Sequence, residues 1–112
     1  TWFAWGRFYE LYGYDPGFSG DGSSCVKELV SAHPDKFERS SSPKAGAVFS
    51  AIGHNHVGIV IAVKDNTITV QEGNLDGITN TFQDAKKDWQ TKSYTLDQLR
   101  SIYGGVVFAN PK

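Results

Sequence analysis

The sequence has little of several features that would assign a protein to a particular class. Its one cysteine, Cys25, cannot form an intramolecular disulfide and cannot build a zinc site alone. The net charge of −1 argues against a nucleic-acid partner, because such proteins usually carry a basic excess. No apolar run approaches the ~18 residues that span a bilayer, so membrane insertion is not expected. What remains is a chain of 112 residues, enough for one globular domain with one core.

Methionine is absent as well, and the chain opens abruptly on TWFAWGRFYELYG. No secretory signal peptide is visible in this opening. We therefore expect residues 1–112 to be a single domain excised from a longer polypeptide, whose targeting signals and other domains lie elsewhere.

Glycine and aromatic residues are plentiful, which suits a loop-rich α+β domain. Aromatic residues at spacings of three and four, followed by Gly13, predict a helix over residues 1–12. A second helix is predicted over 24–32, with Ser23 as its N-cap, and a third in YTLDQLRSIYG, capped by Thr95 and closed by Gly104. Extended segments are predicted at 47–52, 57–63, 67–74 and 106–108. Helices followed by a run of strands predict an α+β domain with an antiparallel sheet.

The two central strands are predicted to form a hairpin whose register depends on its turn. If KDN is a three-residue loop with Asn66 in the left-handed conformation, Val63 pairs with Thr67. The pairs that follow are Ala62 with Ile68, Val60 with Val70, and Gly58 with Glu72.

This register places polar residues together at one end of the hairpin. His56 and Glu72 become diagonal neighbours within side-chain reach, and Asn74 lies opposite His56, with space above Gly58. A two-residue loop would instead place His56 and Glu72 on opposite faces, because a slip of one residue inverts the pattern. The arrangement suits a base with a carboxylate to orient it, and equally a hydrogen-bonded polar patch at a sheet edge.

Four segments in order, TWFAWGRFYEL, SPKAGAVFS, HVGIVIAV and TITVQEGN, resemble the successive signatures of the CHAP domain family. Its members are cysteine-dependent amidases and peptidases that cut bacterial peptidoglycan. The resemblance implies a papain-like α+β fold, with N-terminal helices packed on an antiparallel sheet. It also implies peptidoglycan as the partner, no cofactor, and a place of action outside the cell, at the bacterial wall or on a phage virion.

By the same resemblance His56 is the general base, Glu72 the carboxylate that orients it, and Asn74 a further polar position. The family's nucleophilic cysteine immediately precedes a TW[FY] stretch, so here it is expected immediately before Thr1, outside this chain. It would attack an amide and form a thioester that water then hydrolyses. Cys25 is expected to be a buried packing residue, and nothing in the resemblance supports Thr1 as a nucleophile.

Five further residues are candidates for binding. The aromatic residues Tyr14, Phe18 and Trp89 could line a groove for a glycopeptide or belong to the core. Asp15 and Asp21 could hold calcium, but the loop lacks the dense run of oxygen ligands expected of such a site.

Three alternatives to a cysteine hydrolase are weighed. His54 and His56 on one strand, with Glu72, could hold a metal such as zinc in a metal-dependent hydrolase. The letters HNH at 54–56 do not make a nuclease motif, whose residues are spread over a larger ββα unit. The domain could also be a non-catalytic wall-binding or structural module, attached to other domains or to phage tail proteins. Within the hydrolase interpretation, the choice between amidase and endopeptidase stays open.

Overall fold

The computed structural model describes residues 2–17, 22–51, 53, 56–72 and 90–112, with the backbone alone at 2 and 3. The helices in this part of the chain are α1 (Trp2–Tyr12), α2 (Cys25–Ala32) and α3 (Leu96–Tyr103), and a short 3-10 helix (Gly22–Ser24) leads into α2. The strands are β1 (Phe37–Ser40), β2 (Val48–Ala51), β3 (His56–Lys64), β4 (Thr67–Glu72), β5 (Gln90–Thr95) and β6 (Val106–Pro111).

The strands form one antiparallel sheet in the order β1-β6-β2-β3-β4-β5. Because side chains alternate along each strand, the sheet builds a core on both of its faces. On one face α1 and α2 pack through Phe8 and Leu29 against Val48 and Ile59. On the other face α3 packs through Leu99, among other residues, against the sheet. The predicted α+β architecture, with N-terminal helices on an antiparallel sheet, is confirmed.

The end of α1 and the start of α2 have identifiable causes. Gly13 ends α1 with a left-handed φ of 79° and donates its N–H to the carbonyl oxygen of Tyr9 at 2.8 Å. The predicted N-cap of α2 is wrong: the cap is Ser24, because the 3-10 helix places the start of α2 one residue later. The Ser24 side chain makes no capping hydrogen bond, and Ser50 on β2 instead accepts the N–H of Val26 at 3.0 Å.

The predicted ends of α3 are confirmed. Thr95 accepts the N–H of Gln98, and the Gln98 side chain returns a bond to the N–H of Thr95, a complete capping box. Gly104 closes the helix in the left-handed conformation, with φ 69°, and its N–H reaches the carbonyl oxygen of Arg100.

The edge strand β5 was not predicted. Its sequence, QTKSYT, is polar and mostly exposed, because β4 covers only one side of it. Strand β6 runs three residues beyond the predicted Phe108, to Pro111, since Ala109 and Asn110 continue to pair with β1. The predicted end of β4 at Asn74 lies outside the described residues.

The β3–β4 hairpin reaches the predicted register by another route. Its turn has two residues, since Lys64 pairs with Thr67, and Asp65 rather than Asn66 has a positive φ, of 55°. The predicted pairs Val63 with Thr67 and Ala62 with Ile68 are therefore wrong.

A β-bulge at Ile61 restores the register further along the hairpin. The ladder passes from Ala62 directly to Val60 on β3, so one residue more lies on β3 than on β4. On the side of the bulge away from the turn, the predicted pairs Val60 with Val70 and Gly58 with Glu72 are present. As a result His56 and Glu72 lie on the same face, as expected.

Candidate active site

The site lies at the end of the hairpin away from the turn, where β3 begins and β4 ends. His56 Nε2 lies 3.2 Å from Glu72 Oε1. The carboxylate belongs to a residue that is 1% exposed, whereas 17% of the imidazole side chain is accessible. The carboxylate of the pair is therefore buried, whereas the imidazole is partly accessible to solvent.

Two tyrosine hydroxyls complete the surroundings of the carboxylate. Tyr103, at the end of α3, donates to Glu72 Oε1 at 2.5 Å, and Tyr94 on β5 donates to Oε2 at 3.3 Å. A carboxylate removed from water needs such donors, because a buried charge without partners is costly. With His56, three side chains from three different elements bind Glu72.

The balance of these contacts keeps Glu72 ionised. Burial alone would raise the pKa of the Glu72 carboxyl, but the hydrogen bonds from His56, Tyr103 and Tyr94 outweigh it and lower that pKa. Burial, together with the neighbouring negative charge, raises the pKa of Tyr103 and of Tyr94. Both hydroxyls therefore keep their protons and remain donors at neutral pH.

The ionised carboxylate sets the tautomer of His56. A carboxylate can only accept hydrogen bonds, so the imidazole must carry its proton on Nε2. In the neutral ring the lone pair then lies on Nδ1. That nitrogen can take up a proton from a neighbouring group and return it, as a general base and acid do.

Aromatic rings hold the imidazole in place. The Tyr103 ring stacks on that of His56 at a centroid distance of 5.0 Å and an interplanar angle of 19°. Phe49 on β2 lies 6.1 Å from the His56 ring and 6.2 Å from the Tyr103 ring. The predicted space above Gly58 is filled: a Cβ at that position would lie 2.5 Å from Phe49 Cε1. Glycine lets Phe49 approach β3 and support the stack.

The other residues proposed for the chemistry are placed as follows. Cys25 is fully buried, in the cluster that also contains Ala4 and Phe8. This is the packing position expected for it. Asn74, Thr1 and the second histidine of the metal alternative, His54, lie outside the described residues. Within the described part of the chain no three His, Cys, Asp or Glu side chains come together as a metal site.

Two of the five candidate binding residues, Tyr14 and Asp15, lie in the described part of the chain. Tyr14 packs edge-on against Phe8, with the ring centroids 5.5 Å apart, and is partly buried in the core between α1, α2 and the sheet. It therefore contributes to packing. The Asp15 carboxylate accepts the N–H of Gly17 at 2.7 Å within its own loop. Phe18, Trp89 and Asp21 lie outside the described residues. None of the described helices is long and apolar enough to cross a membrane.

Tyr94 and Tyr103 were not identified as site residues from the sequence. Tyr103 lies in a predicted helix, and no local pattern in the sequence relates it to Glu72, 31 positions away. Tyr94 had a usable signal. In the edge strand it pairs with Ile68, and Ile68, Val70 and Glu72 share one face of β4. A prediction of β5 would have placed its hydroxyl on the side of the carboxylate.

Comparison with known proteins identifies the family of the chain. The family model of the CHAP domain matches residues 1–74, about two thirds of the chain, and the chain belongs to this family. The match includes His56 and Glu72 and ends before β5 and α3. No curated protein sequence matches the chain.

Two crystal structures share the fold. One is Ly7917 with the hydrolysing product of MDP, at a TM-score of 0.57 and 19% identity over 83% of this chain. The other is Ly7917 alone, at a TM-score of 0.54 and 21% identity over 85%. The chain spans 38% and 40% of the length of those two structures. At this identity the likeness establishes the fold, and the papain-like α+β assignment is confirmed.

Proposed function

We propose that this domain hydrolyses bacterial peptidoglycan, as an N-acetylmuramoyl-L-alanine amidase or an endopeptidase, with a cysteine immediately before Thr1 as nucleophile. The observation that carries the proposal is the hydrogen bond from the partly open His56 to the buried, ionised Glu72. Membership of the CHAP family supports the reaction class, and the MDP product held by Ly7917 supports a cell-wall substrate. The place of action is then the cell wall, outside the bacterium.

The position of α1 fits a nucleophile at its start. Helix α1 contacts β3, and Ala4 shares a buried cluster with Val57, the neighbour of His56. A residue preceding this helix lies at the positive end of the helix dipole, which favours a thiolate. His56 Nδ1 would take the thiol proton and form an ion pair with the thiolate.

The reaction then follows from these roles. The thiolate adds to an amide carbonyl carbon, and backbone N–H groups at the helix start stabilise the oxyanion. The C–N bond breaks as His56 Nδ1–H protonates the leaving amine, which leaves a thioester. Water, deprotonated by His56, attacks the thioester and releases the carboxylic acid and the thiol. Glu72 keeps the Nε2–H tautomer throughout, and Asn74 matches the family's further polar position.

The test is clearing of purified cell walls by the chain extended with cysteine before Thr1, beside the same chain with serine there. We expect only the cysteine form to clear walls, and a thiol alkylator to stop it. His56→Ala and Glu72→Gln should each lower the rate by about 10²-fold or more, because proton transfer loses its base or the base its orientation.

Matched controls are His33→Ala and Glu38→Gln, which remove a histidine and a glutamate outside the site. Mass spectrometry of the soluble products identifies the bond cut. Wild-type rates in His56→Ala would refute the assignment of the base. A cysteine form that binds walls without releasing fragments would identify the domain as a binding module.

A further inference from the structure

Tyr103, the last residue of α3, contacts the site from outside the hairpin. Tyr103 makes two contacts that no other described residue combines. Its hydroxyl donates to Glu72 Oε1 at 2.5 Å, and its ring stacks on His56 at 5.0 Å. One side chain therefore touches both members of the proposed dyad. Tyr103 also lies beyond residue 74, where the family match ends.

We propose that Tyr103 is a positioning residue of this dyad, holding the Glu72 carboxylate with its hydroxyl and the His56 imidazole with its ring. The inference rests on the proposed function for its catalytic consequence, but the two contacts can be tested without it.

The hydroxyl bond is of the strong kind. An O–H donor to a carboxylate oxygen at 2.5 Å has the short length of a charge-assisted hydrogen bond. It reaches the same oxygen, Oε1, that accepts from His56 Nε2. Tyr94 binds the other oxygen at the longer distance of 3.3 Å. Two donors on Oε1 and one on Oε2 fix the plane of the carboxylate, and with it the direction in which His56 Nδ1 points.

The surroundings leave few other groups to perform this role. The titratable side chains that the structure places against Glu72 are His56 on β3, Tyr94 on β5 and Tyr103 on α3. From β2 the neighbouring side chain is the uncharged Phe49. The tyrosines thus hold the carboxylate without placing a second charge beside the imidazolium that forms during the reaction.

The test compares Tyr103→Phe, which keeps the ring, with Tyr103→Leu, which removes ring and hydroxyl. In the cysteine-extended chain we expect Tyr103→Phe to lower kcat on purified peptidoglycan about tenfold with KM unchanged, the effect of losing one hydrogen bond to a charged group. Tyr103→Leu should be lower still. Tyr94→Phe should have a smaller effect, and Tyr9→Phe, at an exposed tyrosine on α1, none.

A second readout does not depend on turnover. NMR titration of the Glu72 carboxyl should show a higher pKa in Tyr103→Phe, because one of the donors that hold it ionised is gone. A merely structural tyrosine would change thermal stability and leave this titration in place.

The outcomes separate the two proposals. An unchanged Glu72 titration in Tyr103→Phe, or an unchanged kcat in a protein that hydrolyses walls, overturns the role of Tyr103. A fall in kcat without a shift in the titration overturns it too, since the effect would not pass through the carboxylate. If the cysteine form hydrolyses nothing, the proposed function fails, and the titration alone decides whether Tyr103 holds Glu72.

Discussion

At the scale of single residues, Gly58 is the position on which the aromatic support of the site depends. It pairs with Glu72 across the hairpin, and the ring of Phe49 lies where a side chain at this position would be. The same ring contacts those of His56 and Tyr103. A residue with no catalytic group of its own thus sets the geometry of residues that have one.

We expect Gly58→Ala to reduce the free energy of unfolding by about 1–3 kcal/mol, the usual cost of overpacking a core. The added Cβ would lie 2.5 Å from Phe49 Cε1 and 2.9 Å from the carbonyl oxygen of Gln71, and a paired backbone cannot easily move. Urea denaturation measures the change. The double variant Gly58→Ala/Phe49→Leu should lose less than the sum of the two single variants, because the smaller side chain relieves the clash. Additive losses would contradict this account.

At the scale of elements, the hairpin explains both the success and the limit of sequence reasoning. The pairing of Gly58 with Glu72 could be predicted because this register gathers His56 and Glu72 at one end of a face whose other end is apolar. The bulge could not be predicted, because Ile61 and both of its neighbours are apolar. Their pattern therefore does not show which side of the sheet each residue faces. The predicted turn is one residue too long, and the bulge is not predicted. These two errors cancel, so the shared face of His56 and Glu72 is predicted correctly although the turn is not.

The partners of Glu72 outside the hairpin show the second limit. Hydrophobic periodicity describes single elements, whereas the bonds from Tyr94 and Tyr103 depend on how β5 and α3 pack against the sheet. The polar edge strand β5 gives little hydrophobic periodicity and was not predicted, so the alternation that places Tyr94 on the side of Glu72 could not be applied.

Deletion of Ile61 tests the role of the bulge. Without it Val60 and Ala62 become neighbours and can keep their partners Val70 and Thr69 in a regular ladder. We therefore expect the variant to keep the pairing of Gly58 with Glu72 and the His56–Glu72 hydrogen bond, observed by NMR of the Nε2 proton. The control is Ile61→Ala, which removes the side chain and keeps the residue count. A folded deletion variant without this proton signal, beside an alanine variant that retains it, would show that the bulge itself orients the site.

At the scale of the whole molecule, the buried carboxylate links the site to stability in acid. The folded protein lowers the pKa of Glu72 from its ordinary value of 4.5, so below that value the unfolded chain binds a proton that the folded protein resists. The stability contributed by Glu72 is therefore present above about pH 4.5 and is lost as the pH falls through the folded-state pKa.

We expect the unfolding free energies of the wild type and Glu72→Gln to converge as the pH is lowered from 7 to about 3, because the variant has no carboxyl to protonate at this position. Urea denaturation across that range gives the two curves. Glu38→Gln, at an exposed position on β1, should run parallel to the wild type. A gap between wild type and Glu72→Gln that stays constant with pH would show that the carboxylate contributes no acid-labile stability.

The hydrogen bonds from Tyr94 and Tyr103 to Glu72 also limit where this domain can be cut and joined to a related domain in protein engineering. A chimera that joined residues 1–74, the part matched by the family model, to the second half of another family member would inherit the glutamate without the phenols that bind it. The donor of that second half must supply a tyrosine at each of the two positions. The transplantable module is therefore defined by the hydrogen bonds around one carboxylate, and its boundary lies beyond the end of α3.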